Sequence, residues 1–90
     1  MKFETGEILF SRGVYALMET SKEFAKFVLL SLERHKQKDW GDVCIDDDML
    51  NDHAAMFDQR VLSRYTGENI IWILTEWDRS VTTVLLPMEY

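Results

Sequence analysis

Three short apolar runs near the end of the chain, residues 61–65, 70–76 and 81–86, are separated by two polar tetrads, Thr66-Gly67-Glu68-Asn69 and Trp77-Asp78-Arg79-Ser80. Runs of this length, rich in Val, Ile, Thr and aromatic residues and bounded by Gly, Asn, Asp and Ser, read as strands joined by hairpin turns. Connectors this short can join only antiparallel neighbours. The spacing therefore predicts a three-stranded antiparallel meander, which Pro87 ends because it has no N–H to give the ladder. In the middle run Ile71 and Ile73 point to one face while Ile70, Trp72 and Leu74 point to the other, so the sheet is apolar on both sides. Helices are expected on one face. The other calls for the N-terminal segment, the C-terminal tail or a second molecule, the last giving a homodimer through the uncovered face.

Upstream the period changes. Residues 7–10 form a short apolar run, either an edge strand or the lead-in to a helix, bracketed by Gly6 and Gly13. Ser11 is placed to cap a helix over 12–19, in which Val14, Leu17 and Met18 recur at helical spacing. Thr20 and Glu23 have capping-box spacing before a second helix. Its predicted inner face is Phe24, Phe27, Val28, Leu30 and Leu32, with Lys22, Lys26 and Glu33 toward water. Arg34, His35, Lys36 and Lys38 then gather at its negative pole. After the turn Asp39-Trp40-Gly41-Asp42, a third helix is expected with Asp46 as N-cap, Asp47 and Asp48 in the first turn and Ile45 stapled onto Leu50. Met49, Leu50, His53 and Phe57 would face inward, leaving Asp48 and Asp52 to solvent. Ninety residues hold material for one core. The expectation is a single α+β domain over residues 1–90, with two to three helices packed on one face of the antiparallel meander, which becomes four-stranded if residues 7–10 join it.

The charge is concentrated. Between Asp39 and Gln59 lie seven aspartates and no lysine or arginine, a formal −7 in a chain whose total is −6. Such a balance disfavours direct DNA binding, which needs several cations to displace counterions. It suits a protein partner with a basic surface.

Chemistry-bearing motifs are sparse. Cys44 is the single cysteine, which rules out an internal disulfide and zinc-finger spacing and fits a reducing compartment, so a cytoplasmic location is expected. Glu4 and Glu7 stand near the start with no apolar h-region, so no secretory signal is expected. The longest apolar runs are too short to span a bilayer. The cluster Asp46, Asp47, Asp48 and Asp52 lacks the glycine and glutamate positions of an EF-hand loop. His53 sits among apolar positions and Cys44 between Val43 and Ile45, neither beside a catalytic companion. No nucleotide-binding, zinc-protease or hydrolase signature is present. No cofactor, no metal and no enzymatic activity are expected.

The segment from Trp72 to Pro87, closing in Glu89-Tyr90, resembles the end of a family of small bacterial proteins usually labelled plasmid-related. Ser31-Leu32-Glu33-Arg34-His35, Asp39-Trp40-Gly41-Asp42, and Leu62-Ser63 with Tyr65 resemble that family's other blocks, so the similarity runs from about Gly6 to Tyr90. Trp77 departs from it, standing where the family has a small residue. The resemblance implies an accessory protein of plasmids or integrated mobile elements and brings no catalytic residue with it. Taken with the charge, the candidate partner-binding residues are Arg34, His35, Asp39, Trp40, Asp42, Asp46, Asp47, Asp48, Asp52, Glu76, Asp78 and Arg79. In one form of this reading the aspartates imitate DNA phosphates in a basic groove. Two other classes stand beside it: a nucleic-acid module using the sheet aromatics and arginines, and a small hydrolase using Cys44 or a histidine.

Overall fold

The computed structural model describes residues 4–90. Its elements run β1 (Glu7–Phe10), α1 (Arg12–Thr20), α2 (Lys22–Lys36), α3 (Ile45–Met56), β2 (Val61–Thr66), β3 (Ile70–Thr75), β4 (Val81–Leu85) and a closing 3-10 turn, Pro87–Glu89. The fold is α+β, built on one four-stranded sheet in the order β1-β4-β3-β2.

The meander forms as its turns require: Ser63 lies opposite Ile73, and Ile73 opposite Val84. The fourth strand corrects the purely antiparallel expectation, because β1 joins β4 in parallel, Ile8 beside Thr82 and Phe10 beside Val84. Parallel pairing needs a long crossover. Here everything from α1 to β3 supplies it, a relationship no local pattern reports. At Gly6 the backbone has a positive φ of 63°, and a Cβ there would meet the Arg79 carbonyl, so this entry into β1 admits glycine alone.

The sheet face formed by Tyr65, Ile71, Ile73 and Val84 packs against Val14 of α1 and Phe24, Val28 and Leu32 of α2. Ser11 caps α1 as expected, its hydroxyl accepting from the Val14 N–H. The cap of α2 is Ser21 rather than Thr20, one residue later, with its hydroxyl accepting from the Phe24 N–H. That start aims Phe24, Val28, Ser31, Leu32 and His35 inward, whereas Leu30 is 59% exposed. Two of the five inward positions are polar, and one of them, His35, meets the polar sheet residues Ser63 and Thr75.

The opposite sheet face is covered in part by the C-terminal tail. The Glu89 carboxylate accepts from the Ser11 hydroxyl at 2.5 Å, the Gly13 N–H at 2.8 Å and the Leu86 N–H at 2.9 Å, so it satisfies the start of α1 and is held below the usual carboxylate range by those donors, Ser11 foremost. This clasp sets Tyr90 edge-on against Trp72, ring centres 5.2 Å apart, with the Arg60 guanidinium over the Tyr90 ring. Leu74 and Leu85 of that face are buried.

Candidate functional site

Most of the predicted contact residues fasten α3 and the 39–42 segment to the sheet. Strand β2 is an edge, and an unpaired edge invites pairing with other chains. Here it is closed from within. Arg64 receives a backbone bond from Asp42 (2.7 Å) and donates to the Trp40 carbonyl (3.1 Å). Two residues along, the Asn51 side chain donates to the Leu62 carbonyl at 2.7 Å and accepts from its N–H at 3.4 Å. Gly41, at φ 75°, lies against the Arg64 carbonyl, where a Cβ would not fit.

Arg34 and Asp39 form a bidentate pair (2.7 and 3.1 Å). That pair holds the Asp39 carboxyl below its ordinary range, helped by the Gly41 N–H, while the Asp39 carbonyl accepts from the Tyr65 hydroxyl at 2.7 Å. The Arg34 guanidinium lies 5.0 Å over the Tyr65 ring. Trp40 is buried with Ala54 and Val61, edge-on to His35, and donates its indole N–H to Asp52 at 2.8 Å. Asp52 is exposed, as expected, and one of its carboxylate oxygens is also tied to the fold by this bond. Asp78 accepts from the Ser80 hydroxyl and N–H within its own turn, as a turn aspartate should.

Arg79, at a left-handed backbone position (φ 60°), reaches from the β3–β4 turn to the end of α3. Its guanidinium donates to the carbonyls of Ala54 (2.9 Å), Ala55 (3.3 Å), Gln59 (2.7 Å) and Glu76 (3.1 Å). A cation on the unsatisfied carbonyls of a helix end is stabilising. Arg79→Ala is expected to cost about 2 kcal/mol, since hydrogen bonds from a charged donor are the stronger kind. The loss should be local: hydrogen exchange should quicken at α3 amides and leave β3 and β4 protected.

His35 is fully buried, as are Ser63, Thr75 and Thr82. Its Nδ1 lies 2.5 Å from the Ser63 hydroxyl and its Nε2 2.8 Å from that of Thr75, which lies 2.7 Å from Thr82, which donates to the Thr5 carbonyl at 2.7 Å. The last acceptor fixes every proton in the chain. Thr82 donates to Thr5, so it accepts from Thr75; Thr75 therefore accepts from His35 Nε2–H, and Nδ1 accepts from Ser63. Burial, and secondarily the Arg79 charge, lower the His35 pKa to about 3. Serine beside histidine suggests a nucleophile and base, but neither reaches solvent in this layer, which joins α2 to β2, β3, β4 and Thr5.

Against this, α3 faces the wrong way for a core helix. Its N-cap is Cys44, without a side-chain bond, so Asp46 lies inside the helix rather than capping it. Asp46, Asp47 and Asp48 still occupy the first turn, where the helix dipole favours them. The inward residues are Asn51 and Ala54, whereas Ile45, Met49, Leu50, Met56 and Phe57 are exposed, so neither the staple nor the expected apolar inner face forms. His53 is exposed and packs on Phe57. The cause is the β2 edge: Asn51 must face Leu62 to bond it, and this rotates the apolar stripe outward.

Between α3 and the tail-bearing face of the sheet lies a cleft of about 450 Å³. Its floor is Leu62 and Trp72, its walls Val43, Leu50 and Asn51, and its rim Asp42, Cys44, Asp47 and Arg64. The exposed thiol of Cys44 has no histidine beside it on this rim. Among the described residues no cluster of His, Cys, Asp or Glu has a metal-holding arrangement, and no helix is long and apolar enough to cross a membrane.

Sequence reading missed Ser63, Thr75 and Thr82 as partners of His35, as well as Asn51 and Glu89. A signal for the first group is present, since these are polar residues at the inward positions of strands and of α2. Asn51 and Glu89 have none, because each bonds an element distant in sequence. No family model, curated protein or solved structure matches this chain.

Proposed function

We propose that this protein is a non-enzymatic accessory factor of a plasmid or integrated mobile element, acting in the cytoplasm by binding a protein partner, with α3 as its contact surface. The mobile-element part rests on the sequence blocks around Arg34, Asp39-Trp40-Gly41-Asp42 and Trp72 to Pro87. The observation that supports α3 as the surface is its exposed face. Asp46, Asp47 and Asp48 stand in solvent on it, and the side-chain ion pairs among the described residues, Arg34–Asp39 and Lys36–Glu33, lie elsewhere. Exposed like charges outside those ion pairs attract an oppositely charged surface and speed encounter with it. In the phosphate-mimic form, these carboxylates occupy the basic groove of a host protein. Asp52 is exposed beside them, with one oxygen accepting from the Trp40 indole.

Affinity capture from a host lysate tests the reading. The chain should retain a partner that is released as salt is raised, and Asp46→Asn, Asp47→Asn, Asp48→Asn in combination should weaken retention by about tenfold, since rim charges act chiefly through steering and screening. The reading fails if the triple variant holds the same partner with the same salt dependence.

A further inference from the structure

The acidic face of α3 carries an apolar crest. Ile45 is 79% exposed, Met49 65% and Met56 71%. A helix in a small domain ordinarily turns such residues to the core. This one buries Asn51 and Ala54 instead, so the crest adds nothing to the chain's own packing. Its spacing is ordered: positions 45, 49, 52 and 56 follow the four-three-four rhythm of a helix-packing seam, with Asp52 its one polar member. Asp48 falls on one flank of this seam and Asp46 on the other.

Resting on the reading of α3 as the contact surface, we infer that its occupant is an amphipathic helix of a partner protein, apolar along one stripe and flanked by lysines or arginines. The stripe would pack along Ile45, Met49 and Met56 in the manner of knobs into holes. Its cations would meet Asp46 and Asp48. Helix-in-groove recognition reads anchors at this spacing, and exposed methionines adapt to the side chains they receive. The apolar crest gives affinity and the carboxylates choose the partner, because an acidic helix laid along the same crest meets like charge. Anionic membrane is disfavoured by the same charges.

The methionines supply the readout. Met49 and Met56 lie on the crest, whereas Met18 packs against the main core and Met88 is in the tail. The probes are two synthetic helical peptides with leucine at the seam positions, one flanked by lysine and one by glutamate, titrated into the chain labelled with 13C-methyl methionine. The lysine peptide is expected to shift Met49 and Met56, to leave Met18 and Met88 in place and to weaken with salt, while the glutamate peptide shifts none. Ile45→Ser, Met49→Ser and Met56→Ser together keep every carboxylate and lie outside the core. This variant, followed by amide shifts of α3, should lose at least about tenfold in affinity.

The inference is overturned if that variant binds the lysine peptide as tightly as the parent chain. If binding is then still lost in the Asp46, Asp47, Asp48 asparagine variant, the charged surface stands without the helical partner. It is overturned equally if neither peptide shifts Met49 or Met56, if both peptides bind alike, or if vesicles of anionic lipid produce the same shifts. Concentration-dependent self-association that broadens Met49 and Met56 would make a second copy the occupant and would also overturn it, Leu29, Leu30 and Lys26 being exposed on α2.

Discussion

Trp40→Ala is expected to remove about 3–5 kcal/mol of stability, the range for deleting a large buried aromatic. A chain of this size has only about 5–13 kcal/mol in total, so the variant should be marginal at room temperature. Trp40 is 1% exposed and lies where three parts of the molecule meet: His35 of α2, Ala54 of α3 and Val61 of β2. Its own carbonyl holds the edge of β2 through Arg64, so the indole fills the angle behind that backbone pairing. Few other groups could close this space, because the inward face of α3 offers mainly Asn51 and Ala54. Urea unfolding followed by circular dichroism measures the loss. Trp40→Phe keeps most of the ring and loses the bond to Asp52, and should cost about 1–2 kcal/mol. A loss below about 1 kcal/mol in the alanine variant would mean that α3 is not anchored through this residue.

The second large effect is a loss of stability on mild acidification, centred on His35. Its pKa is about 3 in the folded chain against 6.5 for an unperturbed histidine, so between these values the unfolded chain binds a proton that the native one does not. Stability therefore rises with pH across this window. It is fully present above about pH 6.5 and falls by about 1.4 kcal/mol per pH unit below it, or roughly 3 kcal/mol by about pH 4.5. Protonating Nδ1 in place would turn the Ser63 hydroxyl toward its next acceptor, the Ile73 carbonyl at 3.4 Å, which is a poor substitute. Asp39, Asp78 and Glu89 are also shifted down, so their contributions have the same sign, but they are lost only below about pH 4.5, as pH falls through their lowered values. The upper part of the window thus belongs to His35. His35→Gln keeps a donor and an acceptor for the two hydroxyls and cannot ionise. It should be less stable near neutrality yet show a flatter profile between about pH 4.5 and 6.5. An unchanged slope in that variant would assign the acid sensitivity to another group.

The family-like blocks around His35, Asp39-Trp40-Gly41-Asp42 and Asp78-Arg79-Ser80 read as surface recognition from sequence because they are rich in charge. In the structure they are joints. Arg79 ends α3, Asp39 pairs with Arg34 and meets Tyr65, and His35 bonds two buried hydroxyls. Charged residues in turns do look alike whether they bond a distant carbonyl or water, and spacing alone does not separate the two. The exposed residues left for recognition are Asp42, Asp46, Asp47 and Asp48, together with apolar residues of α3 that periodicity had assigned to the core.

What the sequence determined by itself was local. Apolar alternation and the two polar tetrads set β2, β3 and β4 as an antiparallel meander, whereas the register of the first hairpin, in which Thr66 joins β2 opposite Ile70, was not read from its turn. Ser11 set the start of α1, and Pro87 closed the sheet. The α+β class followed from the change of period near residue 60. Tertiary structure alone decided the parallel place of β1, the tail clasp at Glu89 and the direction in which α3 faces. Each is settled by backbone groups that must find partners far along the chain. For α3, two bonds from Asn51 to the open edge of β2 outweighed the burial of Ile45, Met49 and Met56, and so put an apolar seam among aspartates on the outside of the molecule.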